Sequence, residues 1–209
     1  MAISKRTLRR SAGNLVHITK NRVRRKTFSF DPRVQIFIET SSRCNLACRF
    51  CAYPKRDTAG VFMTMELFND IIAQTLDMGF YRVWLTPMLG DVFADPCALE
   101  KFDRLEQAGR LRQFGFFTNF ILPRTKTIET LAKYRKLSTI CISVYGHDSE
   151  SFQLVTQKPK AQYDRLVRNL TLLARLAPEA IWQENLSFSF RTVGGVTLDT
   201  LPENELTRP

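Results

Sequence analysis

Val34-Gln35-Ile36-Phe37-Ile38-Glu39-Thr40 runs directly into Ser41-Ser42-Arg43-Cys44-Asn45-Leu46-Ala47-Cys48-Arg49-Phe50-Cys51. The first part is β-branched, aromatic and nearly continuous in its apolarity, the pattern of a buried strand. The second part puts three of the chain's five cysteines into a CxxxCxxC spacing, while Cys97 and Cys141 stand far away and alone. The first 30 residues are too polar for a secretory signal, so clustered thiols read as a metal site before they read as disulfides. Chance would give such a spacing in roughly a few chains per thousand of this cysteine content.

Beyond this stretch, helix-like and strand-like patterns alternate. Met65 to Met78 sets Leu67, Phe68, Ile71, Ile72 and Leu76 on one helical face, with Thr64 placed as its N-cap. Arg82 to Thr86 reads as a second strand, Leu99 to Ala108 as a helix closed by Gly109, and Arg112 to Thr118 as a third strand. Thr127 to Tyr134 reads as a helix, Thr139 to Val144 as a fourth strand, Tyr163 to Leu176 as a long helix and Leu186 to Thr192 as a fifth strand. This rhythm calls for right-handed βαβ crossovers and an α/β fold with a parallel sheet, open or curled into part of a barrel. In such folds the chemistry lies at the C-terminal ends of the strands, and the cysteines begin just past Thr40.

The formal net charge of +11 is concentrated at one end. Ten of the 31 lysines and arginines, and a single acid, Asp31, fall between Met1 and Arg33, which leaves +2 for the rest. The expected organisation is a basic N-terminal arm over 1–33, a core domain over 34–192 and an irregular tail over 193–209. Leu8, Leu15, Val16 and Ile18 make the arm, Lys5 to Lys26, read as a short basic helix. Covering one end of the domain is its simpler role; contact with nucleic acid, acidic peptide or anionic membrane is its functional one. No run approaches the roughly 18 apolar residues of a membrane span, and the expected compartment is the cytoplasm.

Three thiolates at these spacings can ligate three corners of a cubic [4Fe-4S] cluster and leave the fourth iron open. No fourth protein ligand lies nearby in sequence, the only histidines being His17 and His147. Structural zinc with His147 as a distant fourth ligand is the other reading of the same thiols. Cys141, between Ile140 and Ile142, reads as a small core residue, Cys97 as part of a helix face and His147 as a loop residue.

Cys44-x-x-x-Cys48-x-Phe50-Cys51 after a strand resembles the signature of the radical S-adenosylmethionine (radical SAM) superfamily, matching its CxxxCxΦC pattern in full. The resemblance implies a partial parallel (β/α) barrel of six βα units, of which about five are present here. It implies a [4Fe-4S] cluster on Cys44, Cys48 and Cys51, and S-adenosylmethionine (SAM) cleaved reductively to methionine and a 5'-deoxyadenosyl radical. Phe50 is then expected near the adenine. The family's Gly-Gly-Glu-Pro-like stretch corresponds to Met88-Leu89-Gly90-Asp91-Val92-Phe93, with Leu89 in place of one Gly and the acid shortened to Asp91. Gly90 and Asp91 are expected to hold the SAM ammonium group. Asn119, from a family-like Thr118-Asn119, and Ser143, on the fourth strand, are expected at the same mouth, Ser143 at the ribose. Thr156 and Gln157 stand where an Arg often binds the SAM carboxylate, so Lys158 or Arg191 is the expected cation. Phe37, Phe116 and Phe117 suit the apolar walls that shield a radical.

The likeness runs from about Gln35 to Thr192. It is strongest to the branch that often carries a C-terminal SPASM-type domain, although no cysteine-rich extension occurs here and the barrel is expected to be truncated. The implied activity is hydrogen abstraction from a peptide or small biosynthetic substrate, with an electron donor such as flavodoxin or ferredoxin. Two other readings stay open: an RNA-modifying radical SAM enzyme, which the arm invites but the nearly neutral body does not favour, and a non-catalytic iron–sulfur or SAM-binding module.

Overall fold

The computed structural model describes residue 19, residue 31 and residues 33–52, 60–85, 88–176 and 186–207. The expected helix in the basic arm lies outside them apart from residue 19. Five strands form one sheet: β1 (Ile36–Ile38), β2 (Arg82–Leu85), β3 (Gln113–Thr118), β4 (Leu137–Tyr145) and β5 (Leu186–Arg191). They lie side by side in sequence order and every neighbouring pair is parallel. The α-helices that accompany them are α1 (Met65–Asp77), α2 (Ala98–Gln107), α3 (Thr125–Leu131), α4 (Ser149–Thr156) and α5 (Lys160–Leu176). The expected α/β parallel architecture is present as an open sheet of five strands. Among the described residues, no helix is long and apolar enough to cross a membrane.

The two faces of the sheet differ in chemistry. Val83, Leu85, Phe114, Phe116, Ile140, Ile142 and Val144 point one way and are fully buried, as are Phe68, Ile72, Phe102, Leu105, Ile128 and Leu131 on the helices. Each of these large side chains is worth about 1.5–3 kcal/mol of transfer free energy. The alternate residues, Phe37, Trp84, Phe117, Cys141, Ser143, Tyr145, Ser187, Ser189 and Arg191, remain partly or largely open. Neighbouring residues on a strand therefore have opposite fates. Phe117 belongs to the open face, whereas Phe116 stacks on Phe102 at 5.0 Å and is a core ring rather than a wall. Cys141 is likewise on the open face, paired in register with Ser187.

Local chemistry explains where most elements start and stop. Thr64 Oγ1 accepts from the Leu67 amide at 3.2 Å and caps α1, as its position before the apolar stripe predicts. α2 stops at Gln107, with Ala108 rather than Gly109 as its cap. Helix α4 is absent from the sequence reading. It is short, and its start is set by Asp148 and Ser151, which satisfy each other's backbone amides in a capping box. Phe152 and Val155 then bury one side of it.

A buried ion pair ties α2 to the loop before it. Lys101 is fully buried, and its ammonium group binds the Asp95 carboxylate and the Met63 carbonyl, the latter at 2.6 Å. Asp95 also accepts from the Cys97 amide at the head of α2. This pair joins the segment after β2 to the segment that follows the cysteine loop.

Candidate functional site

The cysteine loop leaves the C-terminal end of β1 and is held on four sides. Residues 60–63 return alongside it, with the Met63 amide on the Thr40 carbonyl at 2.9 Å and the Ser42 amide on the Val61 carbonyl at 3.0 Å. The segment after β2 presses on it next, the Asp91 amide donating to the Arg43 carbonyl at 2.8 Å. From α4, the carbonyls of Val155 and Thr156 accept the Arg49 and Ala47 amides at 3.0 and 3.1 Å. Carbonyls of a last helical turn have no partner within the helix, so the loop satisfies groups that would otherwise need water. Asn119, just beyond β3, is the fourth support: its Nδ2 lies 2.8 Å from Asn45 Oδ1 and 3.7 Å from Cys44 Sγ.

Gly90 shows how tightly the second support fits. A Cβ there would lie 2.5 Å from the carbonyl oxygens of both Ser41 and Arg43, so no side chain can be accommodated without moving the backbone that leads into Cys44. Overpacking of this kind costs about 1–3 kcal/mol. Gly90→Ala is expected to displace the loop and lower the chain's iron uptake on reconstitution, with a loss of that size in denaturant titration. Unchanged iron content and stability would show that the contact is slack.

The three thiols occupy different environments. Cys48 is buried, Cys51 half-buried and Cys44 exposed as a residue. Loss of water around the sulfur nevertheless pushes the Cys44 thiol up to about 11 and the Cys48 thiol up to about 12. Charge on any one thiol disfavours charge on its neighbours, which places all three within electrostatic reach. The Leu46 amide, at 3.4 Å, and Asn119 Nδ2 both point donors at Cys44 Sγ, and the Arg191 guanidinium favours ionisation of Cys48. Among the described residues, no three His, Cys, Asp or Glu side chains are drawn together as a metal-ion site. A site of three soft thiols with N–H donors aimed at sulfur suits an iron–sulfur cluster, whose loading would release the thiol protons.

The remaining expected residues fall into two groups. Phe50 and Arg191 come together on the open side, the Arg191 guanidinium 4.8 Å above the Phe50 ring. Ser143 is half-buried on the same side, and Lys158 follows α4, its amide 3.3 Å from Thr156 Oγ1. Asp91 and Asn119 instead turn inward. Asp91 is 1% exposed, and its carboxylate accepts from the Phe93 amide at 2.9 Å, the Asn119 amide at 2.7 Å and the Thr118 hydroxyl at 2.9 Å. Burial still pushes its carboxyl above the ordinary range. His147 lies in the loop after β4, where its Nε2 is 3.5 Å from Asp148 Oδ2.

Two residues at this end of the sheet were not singled out in sequence. Tyr145, which ends β4, lies 5.4 Å from the Phe50 ring. Burial pushes its phenol up to about 12, and Cys48 and Cys44 add to the rise. Its place two residues beyond Ser143 on a strand was the available signal. Glu39 accepts from the amides of Met88 and Leu89 at 2.5 and 3.3 Å, and burial pushes its carboxyl up. An acid closing an apolar strand announces a partner of this sort.

The family model described as the radical SAM superfamily matches residues 38–194. No curated protein matches the chain. Among solved structures, SuiB of Streptococcus suis bound to S-adenosylmethionine is similar at 18% identity and a TM-score of 0.55, over 96% of this chain and 49% of that one. BtrN in complex with AdoMet and 2-DOIA is similar at 14% and 0.53, over 75% and 56%. HydG, a maturase of the [FeFe]-hydrogenase, is similar at 15% and 0.54, over 82% and 46%. The chain spans about half the length of these proteins, and at such identities the likeness concerns the fold. The family model, covering the sheet and the cysteine loop alike, carries the conclusion that the chain belongs to the radical SAM superfamily.

Proposed function

We propose that this chain is the SAM-cleaving core of a radical SAM enzyme, with a [4Fe-4S] cluster on Cys44, Cys48 and Cys51 and SAM on the open side of the sheet. The observation that carries the reading is the thiol loop itself, anchored at the C-terminal edge of a parallel sheet with N–H donors directed at a cysteine sulfur. When bound, the cluster supplies one electron to the SAM sulfonium, giving methionine and a 5'-deoxyadenosyl radical. The chain's own residues bind, orient and shield. Phe50 offers a face to the adenine, Ser143 a hydroxyl to the ribose, and the backbone at Gly90 a close approach to the ammonium group. Lys158 or Arg191 takes the carboxylate. Asp91 and Asn119 serve these cofactors from behind, by fixing the backbone and the cysteine loop. Phe37, Phe117 and Trp84 keep water from the radical.

Hydrogen abstraction from a peptide or small biosynthetic substrate follows, with flavodoxin or ferredoxin as the electron source, and residues 34–192 form the domain that does it. Anaerobic reconstitution followed by dithionite and SAM tests this. About four irons and four sulfides per chain are expected, with 5'-deoxyadenosine as a product. A reconstituted chain that binds SAM yet never yields 5'-deoxyadenosine is an inert binding module, and one that takes up a single zinc in place of iron overturns the reading.

A further inference from the structure

We infer that Asn119 sets the electron affinity of the cluster, by holding its side-chain N–H against the Cys44 sulfur. The inference rests on the cluster assignment above and concerns a residue expected, from sequence, to face SAM.

Asn119 is 4% exposed, and its backbone amide and both polar atoms of its side chain are engaged. Its backbone amide donates to Asp91 Oδ2 at 2.7 Å, its Oδ1 accepts from the Ile121 amide at 3.1 Å, and its Nδ2 meets Asn45 Oδ1 and Cys44 Sγ. The orientation of the amide follows from chemistry. The Ile121 amide can only donate, so the oxygen must face it, and the nitrogen must then face the cysteine loop. No rotation is available that keeps both ends satisfied.

The backbone reinforces this aim. Phe120, the next residue, is bulky, fully buried and in the left-handed region at φ 57°. Such a conformation persists only where the surroundings over-determine it. Here the Phe120 amide donates to Thr118 Oγ1 at 2.9 Å, and Asn169 Nδ2 lies within 3.2 Å of the carbonyls of Phe120, Ile121 and Pro123. The sharp turn ends β3 abruptly and leaves Asn119 at the cysteine loop.

Hydrogen bonds to the sulfurs are among the features that set a cluster's potential. A donor stabilises the reduced, more electron-rich form and raises the potential. Leu46 offers Cys44 one donor from the backbone, which side-chain substitution does not remove. Asn119 offers the second, which substitution does.

The test is an EPR-monitored redox titration of the reconstituted full chain, with iron and sulfide counted for each variant. Asn119→Leu keeps the volume and loses the donor. Its midpoint should fall below that of the wild type, by about 59 mV if the bond favours the reduced form tenfold. Tyr134→Phe removes the phenol bond to Asp103, 2.7 Å long and set before the start of β4 rather than at the cysteine loop, and should melt earlier at an unchanged midpoint. A wild-type midpoint in Asn119→Leu, or an equal fall in Tyr134→Phe, overturns the inference. Should Asn119→Leu hold no iron, the Asn45→Ala chain labelled with 15N in its asparagine side chains decides instead: 15N hyperfine coupling to the reduced cluster upholds the contact, and its absence ends it. A wild-type chain that takes up no iron removes the cluster assignment itself, an outcome distinct from an unshifted midpoint.

Discussion

Alanine at any one of Cys44, Cys48 or Cys51 is expected to reduce the reconstituted chain from about four irons to fewer than one and to abolish 5'-deoxyadenosine formation. Two thiols cannot retain a cluster that needs three protein corners, and among the described residues the carboxylates of Asp91 and Glu39 are already engaged. Asp91 spends its oxygens on Phe93, Thr118 and Asn119, and Glu39 spends its own on Met88 and Leu89. Loss of folding is a separate matter, because each change removes only one sulfur atom. Cys48, the buried one, is expected to cost the apo chain about 1 kcal/mol and the exposed Cys44 less. Iron and sulfide analysis beside apo-chain denaturation separates the two effects. Full iron and activity in all three variants would refute the cluster assignment.

Lys101→Met should be the most damaging single change to stability. The fully buried ammonium group neutralises Asp95, whose side chain is 1% exposed, and also holds the Met63 carbonyl. Removing it strands a carboxylate in the core, an effect of about 3–5 kcal/mol. In a domain of this size the melting temperature should fall by about 6–20 °C. The double change Lys101→Met with Asp95→Leu should recover much of the loss, since no charge is then left without a partner. Equilibrium urea titration of both variants checks the expectation. A single variant within about 1 kcal/mol of wild type would mean that the pair adds little.

Elements announced by periodicity were readable in the chain, because β2, β3 and β4 and helices α1 and α5 each carry a long enough apolar pattern. The cysteine loop was readable for another reason: thiol spacing is a local property. What escaped depended on contacts between distant segments. Phe116 and Phe117 look alike until strand register assigns one to the core and one to the open face. Asp91 and Asn119 resemble ligand-binding groups, and only the meeting of the segments after β2 and β3 turns them inward. Helix α4 is too short for its periodicity to stand out, and the Asp148 and Ser151 pair was its remaining signature. The segment at Thr156, where the family often has an Arg, instead ends a helix and supports the cysteine loop.

That last support also bears on the order of assembly. The amides of Ala47 and Arg49 pair with carbonyls at residues 156 and 155, so the cysteine loop reaches its final shape only after most of the sheet has been threaded. Contacts so distant along the chain form late, because the closure entropy of the intervening loop must be met first. During synthesis the three thiols leave the ribosome well before α4 does, and for that interval they are soft ligands without a scaffold. Cluster delivery is therefore best timed after α4 has docked, and a chain halted before residue 156 should capture metal indiscriminately.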